Sequence, residues 1–372
     1  MMLIPGPVDV PVSVLKASAY VVNHRSKEFR SVVQKSEEYL KKFGNAEAAA
    51  ITTGSGTTAV ESMVFSMTSP GDHVIAVSFG EFGNRLIESL RRRSLHVTKI
   101  IKTADDVLLP EEIEDAFRKD IKSKSVFLVQ NETGNGTSIR NLQEIAIRSK
   151  NIGLNVYVDA VSSFGSVPIK VNEWGIDAVA TCSQKGLASV PGLGIVLFGS
   201  DALSTVKPRK DIPQYLDLGI SLEFMSKHET PYTPSTGSFR ALLQALEILE
   251  AEGLQARWDR HSANARVLRN KLSASGASIL GNEKNFSDTV IAFRPKLPVS
   301  ATIEQLAERG IMVSKGMGNL ASEIIRLGNL GIVSSSQLTE FLNAYFDISH
   351  IDIRVSESDF PKESHMDDDL LR

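Results

Sequence analysis

Two residues at the ends of apolar runs carry the chemistry of this sequence. Lys185 stands in Ser183-Gln184-Lys185-Gly186, between Asp177-Ala178-Val179-Ala180 and Gly194-Ile195-Val196-Leu197-Phe198. Asp159 ends the run Val156-Tyr157-Val158. A lysine lodged between two buried strands must be hydrated, paired or chemically used, because a bare buried ammonium is costly. A lysine and a carboxylate at the ends of neighbouring strands can hold a pyridoxal phosphate ring. The amine forms an imine with it, and the carboxylate keeps the pyridine nitrogen protonated. The protonated ring is an electron sink for a carbanion at the substrate Cα. Lys185, once displaced by an incoming amine, is then free to act as the base that moves the proton.

In open α/β sheets ligands sit beyond the carboxyl ends of the strands, so the loops there are the places to look. After residues 48–52 comes Thr53-Gly54-Ser55-Gly56-Thr57-Thr58 at the start of a helix. Glycines let backbone approach an anion, a helix N-terminus offers free N–H groups, and the hydroxyls of Ser55, Thr57 and Thr58 add donors. The turn is neither a dinucleotide fingerprint nor a Walker loop. After residues 73–77, Phe82 lies between glycines in Phe79-Gly80-Glu81-Phe82-Gly83-Asn84-Arg85 and suits a platform for a planar ring. After residues 125–129, the loop from Gln130 to Thr137 brings Glu132, which can orient neighbours, and Thr133, which can reach a cofactor oxygen. Gln184, beside the lysine, can bond a phosphate. Singly, these are a capped turn, a core aromatic, a left-handed turn and a surface lysine. Their force is that five strand ends in succession each offer what one cofactor needs.

The elements that must position these residues follow from periodicity. Apolar runs at residues 48–52, 73–77, 95–101, 125–129 and 155–158 alternate with helical patterns at 57–68, 84–93, 110–118 and 142–150. Repeated strand–helix units predict an α/β fold with a mostly parallel central sheet flanked by helices. Ahead of them residues 27–42 form an amphipathic helix, capped by Ser26 and stopped at Gly44. Helices at 240–252 and 257–273 lead to a smaller C-terminal α+β unit, with strands near 279, 311–314 and 323–327 and helices at 301–309 and 336–345. The expected organisation is an N-terminal arm (1–20), a large domain (21–255), a small domain (256–354) and a mobile tail (355–372) carrying Asp367-Asp368-Asp369.

The 372 residues, 42% hydrophobic and 23% charged, are ordinary for a globular enzyme of two domains. A net charge of −3 supplies no basic field for nucleic acid or anionic lipid. One cysteine, Cys182, excludes an internal disulfide framework and a cysteine-built metal cage. The opening Met1–Pro7 segment does not read as a signal peptide, and no apolar run is long enough for a membrane helix. The expected location is the cytoplasm.

The sequence resembles the class V, fold-type I pyridoxal-phosphate aminotransferases, and within them the alanine–glyoxylate and serine–pyruvate aminotransferases, over about residues 3 to 350. Pro5-Gly6-Pro7, Gly54-Ser55-Gly56-Thr57, Phe82-Gly83-Asn84-Arg85, Glu132-Thr133-Gly134, Val158-Asp159-Ala160-Val161-Ser162-Ser163, Ser183-Gln184-Lys185-Gly186 and His228-Glu229-Thr230-Pro231 carry that resemblance in order and spacing. It implies Lys185 as the Schiff-base lysine and Asp159 as the partner of the pyridine nitrogen. Phe82 would stack on the ring, where many relatives have tryptophan. Ser55, Gly56, Thr57 and Gln184 would bind phosphate, and Thr133 would approach the ring hydroxyl. Thr230 would reach the phosphate of a neighbouring subunit, so a homodimer with shared active sites is implied. Gly6 would line the substrate site, and Arg326 would clamp the substrate carboxylate, which suits a guanidinium fork. Thr57 departs from relatives with an aromatic or histidine there, and Lys227 from those with tyrosine.

The function expected is transamination of serine or alanine with pyruvate or glyoxylate, by a ping-pong mechanism through Lys185. Alternatives are another class V reaction (on aspartate or aminoethylphosphonate, or a desulfurase-type lyase) and a non-catalytic subunit that keeps the fold. A desulfurase needs a cysteine on a mobile loop, whereas Cys182 sits in or beside a buried strand.

Overall fold

The computed structural model describes residues 1–361. The chain opens with α1 (Val12–Ser18) and α2 (Lys27–Gly44). It then alternates β1 (Ala48–Thr53), α3 (Gly56–Met67), β2 (His73–Ser78), α4 (Glu81–Arg92), β3 (His96–Ile101), α5 (Pro110–Lys119) and β4 (Ser123–Val129). A short hairpin of β5 (Asn131–Glu132) and β6 (Thr137–Ser138) precedes α6 (Leu142–Asn151), β7 (Asn155–Asp159), β8 (Ala178–Cys182) and β9 (Leu193–Phe198). Then come α7 (Ser200–Leu203), α8 (Leu218–Met225), α9 (Thr236–Glu252) and the long α10 (Leu254–Ala274). The remainder is β10 (Ser278–Ile279), β11 (Val290–Arg294), α11 (Val299–Glu308), β12 (Ser314–Lys315), β13 (Ile325–Gly328) and α12 (Ser335–Ile348).

Seven strands form the central sheet in the order β1-β9-β8-β7-β4-β2-β3. The neighbours β8, β7, β4, β2 and β3 run parallel, and β9 lies antiparallel between β8 and β1. Successive side chains of a strand point to opposite faces. Val126 and Leu128 of β4 accordingly join the core beneath α2, α5, α6 and α9, while Phe127 and Val129 join the one beneath α3 and α4. Both faces are dry, which explains why these strands read as unbroken apolar runs. A second sheet, β10-β11-β13-β12, packs with α10, α11 and α12 around its own core of Phe293, Leu327, Phe341 and Tyr345.

Several expectations need correction. The first amphipathic helix does not stop at Gly44, which is its buried last residue. Asn45 takes the left-handed cap (φ 49, ψ 48). A Cβ on residue 44 would meet Leu197 Cδ1 at 2.9 Å, so this glycine serves packing and not termination. The strand expected at 311–314 is reduced to Ser314–Lys315, because the preceding backbone pairs with the N-terminal arm, Leu3 N–H donating to Met312 O at 2.9 Å. The tail expected from 355 begins with packed residues: Val355 and Phe360 are buried in the second core. Residues 362–372, including Asp367–Asp369, lie outside the described part. Among the described residues, no helix is long and apolar enough to cross a membrane.

Candidate active site

Parallel order brings the carboxyl ends of β4, β7 and β8 side by side. Val129 is opposite Asp159, and Asp159 opposite Ala180. Because β9 returns antiparallel, the connection from β8 to β9 is a loop at that same end, and it carries Gln184 and Lys185. The turn before α3 closes on it: Gly54 N–H donates to Gly192 O at 2.8 Å. A Cβ on residue 56 would lie 2.7 Å from Val161 Cγ1, so the start of α3 rests on the loop after Asp159. Ser55 and Thr57 are exposed and Gly56 is buried. The Thr58 hydroxyl accepts from Ser55 N–H at 3.1 Å.

Asp159 is buried, and its Oδ1 accepts one hydrogen bond, from Val161 N–H at 2.9 Å. Burial pushes its carboxyl up to about 7, with the charge of Glu132 adding and that of Lys185 opposing. Lys185 moves the other way. Burial lowers its ammonium below the ordinary lysine range, and the like charge of Arg326 lowers it further, against Cys182 and Asp159. The two groups thus act on each other across one low-dielectric space, as a carboxylate and an amine sharing a cofactor must.

Gly6 stands directly against the lysine. The Lys185 Nζ donates to the carbonyl of Pro5. At φ +105 residue 6 holds a backbone that disfavours side chains, and a Cβ there would lie 2.5 Å from Lys185 Nζ. The N-terminal arm therefore forms a wall of the site beside the amine.

Glu132 organises the next wall. It is buried, and its carboxylate accepts from Phe82 N–H (2.9 Å), Gly83 N–H (3.1 Å) and Gly134 N–H (2.9 Å). Burial raises its pKa, against the pull of those three N–H groups. Gly80 has no side chain to cap α4, so a carboxylate from 50 residues away satisfies its free amides. This explains why α4 begins at Glu81, ahead of the expected residue 84. Phe82 consequently sits in the first helical turn and not in a loop. It is half-buried, packs on the core that includes Val161, and carries Arg85 4.9 Å above its ring.

Arg326, on β13, crosses from the second sheet to this wall. Its Nε donates to Lys315 O (2.8 Å) and its Nη1 to Thr133 O (3.1 Å). Its Nη2 has no hydrogen-bond partner among the described residues. Burial lowers its pKa, and Glu132 offsets this. Thr133 is buried, and Arg326 is the partner of its carbonyl.

The structure therefore sets Gly6 against Lys185, couples Lys185 to Asp159 and Arg326, joins Arg326 to Thr133 and Phe82 to Glu132, and rests Gly56 on the loop after Asp159. Gln184 is half-buried, its Oε1 3.3 Å from the Ser183 hydroxyl. Thr230 lines a small cavity with Ile51, Thr52 and Thr53. It is buried beside the end of β1, and its hydroxyl donates to Tyr232 O at 2.9 Å. Lys227 is exposed, its Nζ 5.8 Å over the Phe224 ring. Cys182 is buried, its thiol pushed up to about 12 by burial, so it is an inert core group. Sequence reasoning missed the Pro5 carbonyl and the buried Asn131, whose Nδ2 donates to Ser162 Oγ (2.8 Å) and Thr289 Oγ1 (3.1 Å). No spacing signals a contact made by such distant segments.

The arrangement fits pyridoxal phosphate on its own terms. A buried carboxylate with one oxygen free of hydrogen bonds from the described residues wants an N–H cation. A lysine whose ammonium is destabilised is suited to attach an aldehyde.

Comparison with known proteins agrees. The family model described as aminotransferase class-V matches residues 15–327. A serine–glyoxylate aminotransferase of Hyphomicrobium methylovorum is 32% identical over 347 residues, covering 89% of this chain and 85% of the relative. A protein described as the small subunit of a soluble hydrogenase, from a Synechococcus, is 32% identical over 352 residues, covering 92% and 91%. The crystal structure of an aspartate aminotransferase of Thermus thermophilus superposes with a TM-score of 0.86 at 28% identity, covering 94% of this chain and 99% of that one. With the mostly parallel sheet, the family match over most of its length and this site, the chain belongs to the class-V aminotransferases, enzymes that work with pyridoxal phosphate.

Proposed function

We propose that this enzyme moves the amino group of a small amino acid, serine or alanine, onto pyruvate or glyoxylate. The observation that carries the reading is that, among the described residues, Arg326 is the guanidinium whose charge acts on the Lys185 amine, and it is partly buried. One fork grips one carboxylate. A dicarboxylic substrate would require a second cation, and the candidate for that, Arg85, is exposed and stacked on Phe82.

In this reading Lys185 attaches the cofactor and Asp159 pairs with its ring nitrogen. Phe82 covers the ring, and Thr133 lies toward the ring hydroxyl. Ser55, Gly56, Thr57 and Gln184 receive the phosphate, with Thr230 supplied by a partner subunit in a homodimer. When bound, the cofactor offers an electrophilic carbon to the substrate amine and withdraws electrons from its Cα. The burial that lowers Lys185 favours its neutral amine, the form able to take a proton from that carbon. Gly6 leaves room beside the amine, and Arg326 fixes the carboxylate so that the Cα hydrogen faces Lys185. The two sheets, each with its own core, would act as a large domain (21–255) and a small one that begins at 256 and takes in Val355 and Phe360. The unpaired, buried Cys182 is compatible with a reducing cytoplasm.

The test is a half-reaction screen in which each amino acid is mixed with the loaded enzyme and the released 2-oxo acid is identified. Serine or alanine should react fastest. A preference for aspartate that disappears in Arg85→Ala would replace this specificity with a dicarboxylate one. Independently, borohydride should fix pyridoxal phosphate to Lys185, read by peptide mass. Label elsewhere, or none, would end the reading.

A further inference from the structure

Where α9 meets α10, three charged side chains are buried together. The Glu252 carboxylate takes Arg257 Nε on one oxygen and Arg260 Nε (2.8 Å) on the other. The side chains are 7%, 1% and 8% exposed. Burial alone would raise Glu252, but the two guanidiniums outweigh it and hold its carboxyl below the ordinary range. Such a triad is a poor device for stability, because removing the charges from water costs about as much as their attraction returns. Its remaining donors show another use.

Those donors reach two loops. Arg257 Nη1 donates to Gly186 O at 3.3 Å, immediately after Lys185. Arg260 Nη2 donates to Gly331 O (3.0 Å) and its Nη1 to Val333 O (3.3 Å), in the segment that follows the strand carrying Arg326. The two loops also touch: a Cβ on Gly331 would lie 3.4 Å from Lys185 O and 3.0 Å from Ala188 Cβ. One carboxylate thus ties together the loop bearing the amine and the loop behind the guanidinium.

We propose that Glu252, Arg257 and Arg260 are positioning residues that set the separation between the Lys185 amine and the Arg326 guanidinium. This rests on the roles assigned above to Lys185 and Arg326. An α-amino acid presents its nitrogen and carboxylate at a fixed span, so a shift between the loops spoils the alignment of both ends at once.

Two variants separate positioning from folding. Arg260→Lys keeps the charge beside Glu252 but gives up the fork to Gly331 and Val333. The triple change Glu252→Leu, Arg257→Met, Arg260→Leu removes all three charges together and should melt at or above the parent temperature. Both should still fix pyridoxal phosphate at Lys185 with borohydride. Both should lose roughly a hundredfold in kcat/KM for the amino donor, mainly through KM. In the cofactor-free protein, hydrogen exchange should quicken in peptides covering 185–189 and 329–333 and stay unchanged around α5 and α6. Unchanged KM, or exchange that quickens uniformly, would overturn the proposal. If the parent itself takes no cofactor at Lys185, the functional reading fails instead. The exchange pattern would still report on the clamp.

Discussion

Burial pushes the two residues that matter most toward their less charged forms. Asp159 titrates near 7 in the folded chain against an ordinary 3.8, so between those values the folded state keeps a proton that the unfolded chain releases. Folding is therefore favoured most below about pH 4, and that contribution is lost as pH rises toward 7. Asp159→Asn should stabilise the cofactor-free protein by on the order of a few kcal/mol at about pH 8, raising its melting temperature there, and hardly at all near pH 4. A thermal melt at both pH values checks this, and an equal gain at both would refute the assignment. Gly6 makes a second residue-scale prediction. Gly6→Ala at φ +105, with its methyl against Lys185, should cost about 1–3 kcal/mol and slow cofactor attachment. Urea unfolding and borohydride trapping measure the two effects.

At the scale of elements, the site is built from helix starts and strand ends whose caps come from elsewhere. The first turn of α4 depends on Glu132, so Glu132→Gln should cost about 1–3 kcal/mol and loosen amide protection at Phe82 and Gly83. Protection lost across the whole of α4 and β2 alike would argue against a local cap. At the far end of the sheet α2 ends on Asn45, whose Oδ1 also accepts from Glu173 N–H at 2.9 Å. Asn45→Ala should destabilise by about 1 kcal/mol, because alanine pays for the left-handed conformation and loses that bond. Most strand and helix spans were legible in the sequence, since unbroken apolar runs and a 3.6-residue period follow directly from which faces are buried. The α4 start, the Gly44 packing contact and the shortened β12 were not, because each depends on a partner distant in sequence.

For the whole molecule, Thr230 bears on the proposed assembly. It is buried beside Thr53 at the end of β1, and in the proposed homodimer it would serve the partner's phosphate site. The proposed assembly should sediment at twice the 40.5 kDa chain mass, and cofactor retention should fall on dilution in step with dissociation. A monomer that keeps its cofactor would contradict shared sites.

Residue order alone established the α/β class, the lysine and the carboxylate at neighbouring strand ends, and the cofactor they suit, because strand alternation and loop position are local properties of a chain. It did not reveal that the Pro5 carbonyl meets Lys185, that Glu132 caps α4, or that Arg257 and Arg260 tie the lysine loop to the segment behind Arg326. Those contacts join segments up to 180 residues apart. Side-chain reach and burial select such partners only once both sheets have packed.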